Sequence, residues 1–299
     1  MMTDFVLAID FGGTKLDVAT ATLDGEIVLS RRLDTDAAAG AEQAVQRAVD
    51  AAHALAETTA AQLGGALRAA GATSPGIVQE DRILLAPNVP GWEELALPGR
   101  LREGLGVDVV TQTDVKAATR AEATWGALVD ADPGIFINLG TGLAAGIVVG
   151  DTILTGAHGA AGEFGYNLRS PAEPHALEEH AGGRAIGERG GSSAADVFDR
   201  ARRGDADAQA LVADALDELS LHVANLAIAI DPTRIAVGGG LMHHQDLILP
   251  ALHRRLQQAV PFPPPVVPAR FVHDAALRGA IALAIDHTNM IISRGGAAR

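Results

Sequence analysis

A pattern of strand, glycine-threonine turn and strand occurs twice in this chain and limits its fold more than any other feature. The first copy spans residues 5–23, with Gly12-Gly13-Thr14 at its turn. The second spans residues 135–149, with Gly140-Thr141-Gly142 at its turn. Short apolar runs bounded by glycines predict β-strands joined by tight turns. Two copies about one domain apart predict two related lobes that arose by duplication.

The residues at the first turn have the chemistry of a phosphate-binding loop. Glycines let the backbone approach a bulky anion, and Thr14 adds a hydroxyl group. Asp10 precedes the turn and can hold a cation beside the same anion. The alternative is a tight hairpin with an acidic corner, and this segment alone does not separate the two.

The remaining sequence predicts an α/β chain of alternating helices and strands. Residues 156–192 are rich in glycine and read as irregular binding loops. The predicted helices cover 41–60, 97–104, 114–127, 206–230, the stretch up to 259, and 275–285; the predicted strands beyond the two repeats cover 27–33, 66–72, 83–85, 107–111, 234–237 and 266–272.

Composition excludes several classes of protein. The 299 residues are 48% hydrophobic, which excludes a disordered chain, and no apolar run reaches the ~18 residues of a membrane helix. The absence of cysteine excludes disulfides and a cysteine nucleophile. A net charge of −14 disfavours nucleic acid as a partner but not one bound nucleotide. No signal peptide is recognised, and we expect a cytoplasmic protein without a membrane partner.

Seven motifs in order resemble the ROK family of sugar kinases and related repressors. The resemblance covers nearly the whole chain, and each motif by itself is weak. The motifs are Asp10-Phe-Gly-Gly-Thr-Lys15, Ser74-Pro-Gly-Ile-Val78, Asn88-Val-Pro-Gly-Trp92, Thr113-Asp-Val-Lys-Ala-Ala118, Leu139-Gly-Thr-Gly142, Gly162-Glu-Phe-Gly165 with Leu177-Glu178, and Gly238-Gly-Gly-Leu241.

The resemblance implies a two-lobed actin-like ATPase fold of the ribonuclease H-like type, with a central cleft. The expected N-terminal lobe comprises residues 1–112 plus about 275–299, and the larger C-terminal lobe comprises 113–274. A repressor of this family carries an additional helix-turn-helix domain before the first strand. Because this chain starts at that strand and is acidic, we expect the kinase.

The resemblance also assigns roles to individual residues. Asp114 is the expected catalytic base, although an Asp before a helix is usually only a cap. We expect it to cap the helix and to stay ionised, because a helix N-terminus favours negative charge. The expected sugar contacts are Asn88, Thr113, Asp114, Glu163, Tyr166 and Glu178. The expected ATP contacts are Asp10, which also holds Mg²⁺ through ATP, Gly12, Gly13, Thr14, Lys15, Gly140, Thr141, Gly142, Gly238, Gly239 and Gly240.

Three departures from the family pattern concern the sugar side. Many members hold a structural zinc with one His and three Cys, but here Tyr166 occupies the His position and cysteine is absent, so we expect no zinc site. The same family His often contacts the sugar, so Tyr166 changes that contact. Thr113 replaces an Asn that binds sugar hydroxyls and offers one donor instead of two.

These observations predict ATP-dependent phosphorylation of the primary (6-position) hydroxyl of a glucose-like sugar. The changed contacts suggest an amino sugar such as kanosamine, or a cyclitol, instead of glucose. The alternatives are a glucokinase or fructokinase of central metabolism, a non-catalytic sugar-binding regulator, and a kinase that uses polyphosphate. A homodimer is expected because dimers are the commonest soluble oligomers.

Overall fold

The computed structural model describes residues 2–86 and 90–296. Backbone contacts group these residues into two units. The first unit holds the residues up to Ala121 together with those from Asp274 onward, and the second holds Glu122–His273. The lobe boundaries at residues 112 and 275 stay predictions. The contact grouping differs from them by keeping residues 113–121 with the first unit.

The described chain contains both strands and helices, often in runs of one type. The strands are β1 (Thr3–Phe11), β2 (Lys15–Thr22), β3 (Ile27–Asp34), β4 (Gly64–Ser74), β5 (Ile77–Val78), β6 (Ile83–Leu84), β7 (Val109–Thr113), β8 (Gly134–Leu139), β9 (Leu143–Val149), β10 (Thr152–Ile153), β11 (Leu168–Ser170), β12 (Glu173–Ala176), β13 (Arg234–Gly238) and β14 (Val266–Pro268). The helices are α1 (Ala41–Leu63), α2 (Leu97–Leu105), α3 (Asp114–Trp125), α4 (Glu178–Ala181), α5 (Gly183–Gly190), α6 (Ala194–Arg202), α7 (Ala206–Ile230), α8 (Gln245–Ala259) and α9 (Ala275–Gly296), with short 3₁₀ helices at Ala37–Ala39, Phe164–Tyr166 and Gly240–His244.

The sheet of the first unit has the strand order β3-β2-β1-β4-β7. Strands β1, β2 and β3 form an antiparallel meander, whereas β1, β4 and β7 are parallel. Asp10 on β1 is in register with Thr73 on β4, and Ser74 is in register with Thr113 on β7. The carboxyl ends of the three parallel strands therefore meet at one edge, where open α/β sheets bind their ligands.

The sheet of the second unit repeats this topology. Its order is β10-β9-β8-β13-β14, in which β8, β9 and β10 are antiparallel and β8, β13 and β14 are parallel. The two strand-turn-strand copies found in the sequence occupy the same two positions in the two sheets. This match supports the predicted duplication and confirms an α/β fold.

Helices α1 and α9 cover opposite faces of the first sheet. Leu7 and Ile9 pack with Ala44 and Ala48 of α1 in one buried cluster. Successive residues of a strand point to opposite faces, so Gly71 points away from the face that carries Ala70 and Ala72. A Cβ atom at Gly71 would overlap the carbonyl oxygen of Ala280 on α9. The absence of a side chain at Gly71 therefore lets α9 lie directly on the sheet.

Several element boundaries differ from the sequence-based expectation. The strand expected over 266–272 ends at Pro268, whereas the helix expected over 275–285 continues to Gly296. Residues 156–192 are not uniformly irregular, because they contain the hairpin β11–β12 and the helices α4 and α5. Glycine content suggested loops there because it weakens both helix and strand propensity, and tertiary packing overrides that preference. Within the described ranges, no helix is long and apolar enough to cross a membrane.

Replacing glycine by alanine should lower the stability of the fold at the contact between α9 and α3 and raise it on α2. A Cβ atom at Gly279 would overlap the carbonyl oxygen of Ala117, so Gly279→Ala should lower the free energy of unfolding by about 1–3 kcal/mol. Gly99 on α2 has no neighbour within 4 Å of an added Cβ, so Gly99→Ala should raise it by up to about 1 kcal/mol. Urea unfolding of both variants measures the two effects. Equal effects would contradict the close approach of α9 to α3.

Candidate active site

Asp10 lies at the carboxyl end of β1 with one oxygen already engaged. The Thr73 hydroxyl donates to Asp10 Oδ1 at 2.6 Å. Burial raises the pKa of Asp10 to about 6; the Thr73 hydrogen bond opposes this shift, and the negative charges of Asp114 and Asp17 add to it. A cation bound at Asp10 would favour the ionised carboxylate. The position therefore suits a carboxylate that works beside a metal ion.

The Gly12-Gly13-Thr14 turn is held from one side and open on the other. Thr35 donates its hydroxyl to the Gly12 carbonyl at 2.7 Å and its amide to the Thr14 carbonyl at 3.0 Å. A Cβ atom at Gly12 would lie 2.7 Å from the Lys15 carbonyl oxygen, so glycine is needed there. A Cβ atom at Gly13 would meet no atom within 4 Å. Gly13, Thr14 and Lys15 are exposed, as residues that bind an incoming anion must be.

Asp114 begins helix α3, but Thr113 caps that helix. The Lys116 amide donates to Thr113 Oγ1 at 3.3 Å, which is the bond an N-cap residue accepts. The prediction that Asp114 is the cap is therefore wrong, because its own Oδ1 accepts from the next amide, that of Val115, at 2.8 Å. Thr113 is 4% exposed, and its hydroxyl keeps a hydrogen that it can donate. Its role as a sugar contact stays a prediction.

The electrostatics of Asp114 differ from the expectation based on the helix dipole. Burial raises the pKa of Asp114 above its ordinary value; the Val115 amide and the Lys116 ammonium oppose that shift. Burial has the larger effect on this pKa. The free-energy cost of removing a carboxylate from water exceeds the stabilisation that the backbone dipoles of one helical turn provide. A carboxylate with a raised pKa accepts a proton more readily, which suits a general base.

Trp92 connects the segment after β6 to the ends of β1 and β4. Its indole Nε1 donates to Ser74 Oγ at 2.8 Å, and its ring centroid lies 5.3 Å from that of Phe11. The side chain of Glu93 accepts from the Ala86 amide at 3.0 Å. The Trp92 contacts attach this segment to the first sheet, and the Glu93 bond joins Ala86 to the residues that follow the stretch containing Asn88. Asn88 itself lies outside the described residues, so its assignment to the sugar stays a prediction.

The Glu178 side chain hydrogen-bonds to the backbone at the second glycine turn. Its Oε2 accepts from the Leu143 amide at 2.7 Å, immediately after Gly140-Thr141-Gly142. A Cβ atom at Gly142 would collide with Glu178 Oε2, whereas one at Gly165 would collide with the Leu143 carbonyl oxygen, so both glycines are needed for the close packing at this turn. Glu178 therefore has a structural contact in the turn, and its role as a sugar contact stays a prediction.

Glu163 and Tyr166 lie in the segment that passes the same turn. The Gly162 carbonyl accepts from the Ala145 amide at 2.7 Å, which attaches this segment to β9. Burial raises the pKa of Tyr166, and the charges of Glu178 and then Glu163 raise it further, so the three side chains share one electrostatic environment. Tyr166 is 56% exposed, which leaves its phenol accessible to a ligand.

A β-hairpin occupies the stretch where many family members hold zinc. Strands β11 and β12 pair antiparallel, and Asn167 at their base donates from Nδ2 to His222 Nδ1 at 3.2 Å. His175 contacts Glu179 at 2.6 Å, and His180 contacts Asp214 at 2.9 Å. In the part of the chain that the structure describes, no group of three or more His, Cys, Asp or Glu could hold a metal ion.

A cavity of about 810 Å³ lies within the second unit beside its glycine turn. This volume falls in the range of small-molecule sites, roughly 300–1,000 Å³. The residues that line it come from the turn, helix α5, the segment after it and the 3₁₀ helix at Gly240: Gly140, Thr141, Gly183, Arg184, Gly187, Glu188, Gly191, Ser192, Ser193, Ala194, Gly240 and Leu241.

The residues of this cavity fit an ATP molecule, which the sequence motifs imply. A Cβ atom at Gly240 would meet no atom within 4 Å, so the cavity wall there is backbone with open space before it. Gly238 and Gly239 are not among the lining residues. Gly238 is buried against the Phe136 ring, and Gly239 adopts φ 94° where a Cβ would collide with the Leu139 carbonyl oxygen. Of the three predicted contacts, only Gly240 reaches the cavity.

Helix α5 and the segment after it form a wall that the sequence reasoning did not assign. Gly183, Gly187 and Gly191 recur every four residues, which places them on one helical face. This four-residue spacing could have indicated a helix in the sequence. The high glycine content of the region indicated loops instead. The amides of Gly183 and Arg184 donate to the carbonyls of Gly140 and Thr141, each at 3.0 Å, and so tie the helix to the turn.

The ROK family model matches residues 6–287, nearly the whole chain. The chain belongs to the ROK family. It is 32% identical over 295 residues to an N-acetylmannosamine kinase from Shigella flexneri, with 93% of this chain and 98% of that protein covered.

Two solved structures show the same fold at similar coverage. A ROK hexokinase from Thermus thermophilus is 26% identical with a TM-score of 0.82, over 96% of this chain and 99% of that one. A ROK family glucokinase from Streptomyces griseus, in complex with glucose and AMPPNP, is 27% identical with a TM-score of 0.76, over 94% and 99%. The predicted family, the actin-like ATPase fold and the enzyme class, a sugar kinase, are confirmed.

The raised pKa of Asp10 predicts how stability changes with pH. Its folded-state pKa of about 6 exceeds the ordinary value of 3.8, so ionisation should destabilise the fold as pH rises between those values. Asp10→Asn removes this ionisation and should be more stable than the native protein above pH 6, by about 2–3 kcal/mol, with the difference disappearing below about pH 4. Urea unfolding across that range, without nucleotide or Mg²⁺, measures it.

Asp4 provides the matched control of opposite sign. The Ala66 amide and then Arg68 lower the pKa of Asp4, so its ionised form stabilises the fold at neutral pH. Asp4→Asn should therefore destabilise the protein at pH 7 and lose that effect as the pH falls. If both variants respond to pH alike, the environment assigned to Asp10 is wrong.

Proposed function

We propose that this ROK protein transfers the terminal phosphoryl group of ATP, with Mg²⁺, to the primary 6-hydroxyl of an amino sugar. N-acetylmannosamine is the first substrate to test, because a relative from Shigella flexneri that matches 93% of this chain is named an N-acetylmannosamine kinase. Kanosamine-like sugars and cyclitols follow. Thr113 and Tyr166 differ from the family pattern at positions that contact sugar, which supports a substrate other than glucose.

The observation that carries the proposal is the environment of Asp114. It lies at the start of α3 beside the carboxyl ends of β1, β4 and β7, and burial raises its pKa. Phosphoryl transfer to a hydroxyl requires a group that accepts the hydroxyl proton. A partly buried carboxylate with a raised pKa at a strand-end ligand site suits that role.

The remaining residues divide between the sugar and the nucleotide. Glu163, Glu178 and Tyr166 would bind sugar hydroxyls through charge-assisted and phenolic hydrogen bonds. The two glycine turns, with Asp10, would bind the phosphates and the metal, and the cavity of about 810 Å³ would hold the adenosine. Bound Mg²⁺-ATP would supply the phosphoryl group and neutralise its charge.

A glucokinase is the second candidate, since the Streptomyces griseus glucokinase complex is similar over 94% of this chain. Glucose in the substrate panel separates the two candidates by kcat/KM. ATP and polyphosphate are compared as donors in the same assay. The homodimer and the cytoplasmic location stay predictions.

Asp114→Asn tests the assigned base with the smallest change of shape. Asn cannot accept the proton as a carboxylate does, so kcat should fall by about 10²–10⁴-fold while KM for ATP stays within a few fold. ADP release over a panel of N-acetylmannosamine, other amino sugars, cyclitols and glucose measures this. The native protein should lose activity below an apparent pKa that lies above 3.8, as Asp114 becomes protonated.

Asp50→Asn is the matched control, because Asp50 is exposed on α1 and accepts a local bond from Gln46 at 2.9 Å. It should leave kcat unchanged. Saturable sugar binding without turnover in the native protein would overturn the kinase and favour the regulator. Turnover that persists in Asp114→Asn would remove Asp114 as the base.

Gly240→Ala tests the nucleotide cavity. The structure has space for the added methyl group, so the free energy of unfolding should change by less than about 1 kcal/mol. Because Gly240 lines the cavity, the methyl group should weaken AMPPNP binding by about tenfold or more. Calorimetric titration measures the affinity, and Gly99→Ala serves as the control. Unchanged affinity would place the adenosine elsewhere.

A further inference from the structure

Asn167 joins two segments of the second unit that carry proposed sugar contacts. Its amide donates to the Phe164 carbonyl at 3.0 Å, and its carbonyl accepts from the Leu177 amide at 2.9 Å. Phe164 and Leu177 are buried in the core cluster of this unit. Tyr166 directly precedes Asn167, and Leu177 directly precedes Glu178. Tyr166 therefore lies between the buried Phe164 and Asn167, so whatever holds Asn167 also limits where the phenol can lie.

A buried histidine on helix α7 holds the Asn167 side chain. Asn167 Nδ2 donates to His222 Nδ1 at 3.2 Å. His222 is 6% exposed, and the residues that follow it on the helix, Val223 and Ala224, are buried in the core. Asn167 itself is exposed, so the hydrogen bond restricts a side chain that would otherwise sample several rotamers. The helix thus provides a fixed point for the residue after Tyr166.

The surroundings of His222 keep its Nδ1 available as an acceptor. Burial lowers the pKa of His222; Glu218 opposes this shift, and Arg169 adds a smaller decrease, so the imidazole is neutral at pH 7. A neutral imidazole carries one proton, and because Nδ1 accepts, that proton lies on Nε2. His222 Nε2 lies 3.8 Å from Glu218 Oε1. The carboxylate favours a proton on the nitrogen nearest to it, and so favours the tautomer that Asn167 requires.

A second contact joins the hairpin to the same face of α7. Arg169 donates from Nε to Glu218 Oε1 at 3.3 Å. Glu218 and His222 are four residues apart on the helix, a rise of about 6 Å. Asn167 and Arg169 are two residues apart on extended backbone, a distance of about 6.6 Å that also places both side chains on one side. The spacings match, so the two contacts together set the orientation of the hairpin on the helix.

We propose that His222 is a positioning residue that, through Asn167, holds Tyr166 where its phenol can meet a sugar substituent, and so contributes to the choice of sugar. The inference rests on the proposed function, in which Tyr166 contacts the sugar. A segment that is already ordered loses less conformational freedom when a ligand binds, which raises affinity without a new contact. The effect therefore belongs to sugar binding and not to nucleotide binding or to phosphoryl transfer.

Substitutions at both ends of the hydrogen bond test this role in steady-state kinetics with the best sugar of the panel. His222→Leu has a similar size and no acceptor, so KM for the sugar should rise by about two- to tenfold, the effect of one lost hydrogen bond. KM for ATP and kcat should stay within about twofold. His222→Asn places an amide oxygen near the position of Nδ1 and should restore most of the sugar affinity. Asn167→Ala should match His222→Leu, and the double variant should be no worse than either single variant.

The single tyrosine of the chain provides a readout that does not depend on kinase activity. Because Tyr166 is that tyrosine, incorporation of fluorotyrosine gives a fluorine NMR signal from this residue alone. In the ligand-free protein, His222→Leu and Asn167→Ala should change the position or width of this resonance, and His222→Asn should return it towards the native one. His253→Leu is the control, because His253 on α8 of the same unit donates to the Val266 carbonyl at 3.0 Å. It should leave both the resonance and the KM for the sugar unchanged.

The two readouts separate failure of this inference from failure of the proposed function. An unchanged resonance in both His222→Leu and Asn167→Ala would overturn the inference even if the protein phosphorylates sugars. An equal change in His253→Leu, or an equal rise in KM for sugar and ATP, would also overturn it, since general loosening of the unit has that effect. If His222→Leu does not fold, as judged by thermal melting, Asn167→Ala tests the same bond from the exposed side. A changed resonance in a protein whose native form binds no sugar of the panel would overturn the proposed function, and with it the role of Tyr166 in sugar choice.

Discussion

The parallel pairing of β1, β4 and β7 is the constraint on which the proposed chemistry depends. The register places Asp10 beside Thr73 and Ser74 beside Thr113, so a carboxylate, three hydroxyls and the start of α3 share one sheet edge. The hydrogen bond from the Thr73 hydroxyl to Asp10 is a direct consequence of this register. A shift of one residue would turn each of these side chains to the other face of the sheet.

The same topology in the second unit produces a different kind of surface. Its glycine turn meets helix α5 through paired amide and carbonyl groups, and the result is a cavity lined mainly by small residues. The first unit thus presents the carboxylates of Asp10 and Asp114, whereas the second presents this cavity in addition to Glu163 and Glu178. This difference agrees with a division in which acidic groups serve the reacting hydroxyl and metal, and the cavity serves a nucleotide.

Much of the fold could be predicted from the sequence because local signals agreed with each other. The end of α7 is one example: Asp231, in the left-handed conformation at φ 52°, and Pro232 stop the helix where the sequence indicated. The two glycine-threonine turns also lie where their apolar flanks predicted. Helix α5 was not predicted, because its high glycine content lowers helix propensity and the helix is stabilised by close packing.

Properties that arise from burial could not be predicted from the sequence. The raised pKa of Asp114 depends on how far the fold removes its carboxylate from water. A local sequence motif carries no information on that burial. Lys116 is also buried, which its sequence context did not indicate. Glu122 was not singled out, yet it is fully buried and accepts backbone amides of Ala127 and Phe271 at 2.6 and 2.8 Å.

The position of the transferred phosphate tests the central claim most directly. Native protein, ATP, Mg²⁺ and N-acetylmannosamine are incubated together, and the product is examined by phosphorus–proton correlation NMR. The account predicts one ADP per phosphorylated sugar, with the phosphorus coupled to the protons on C6. A phosphate on any other hydroxyl, or saturable sugar binding with no transfer to any sugar of the panel, would contradict it.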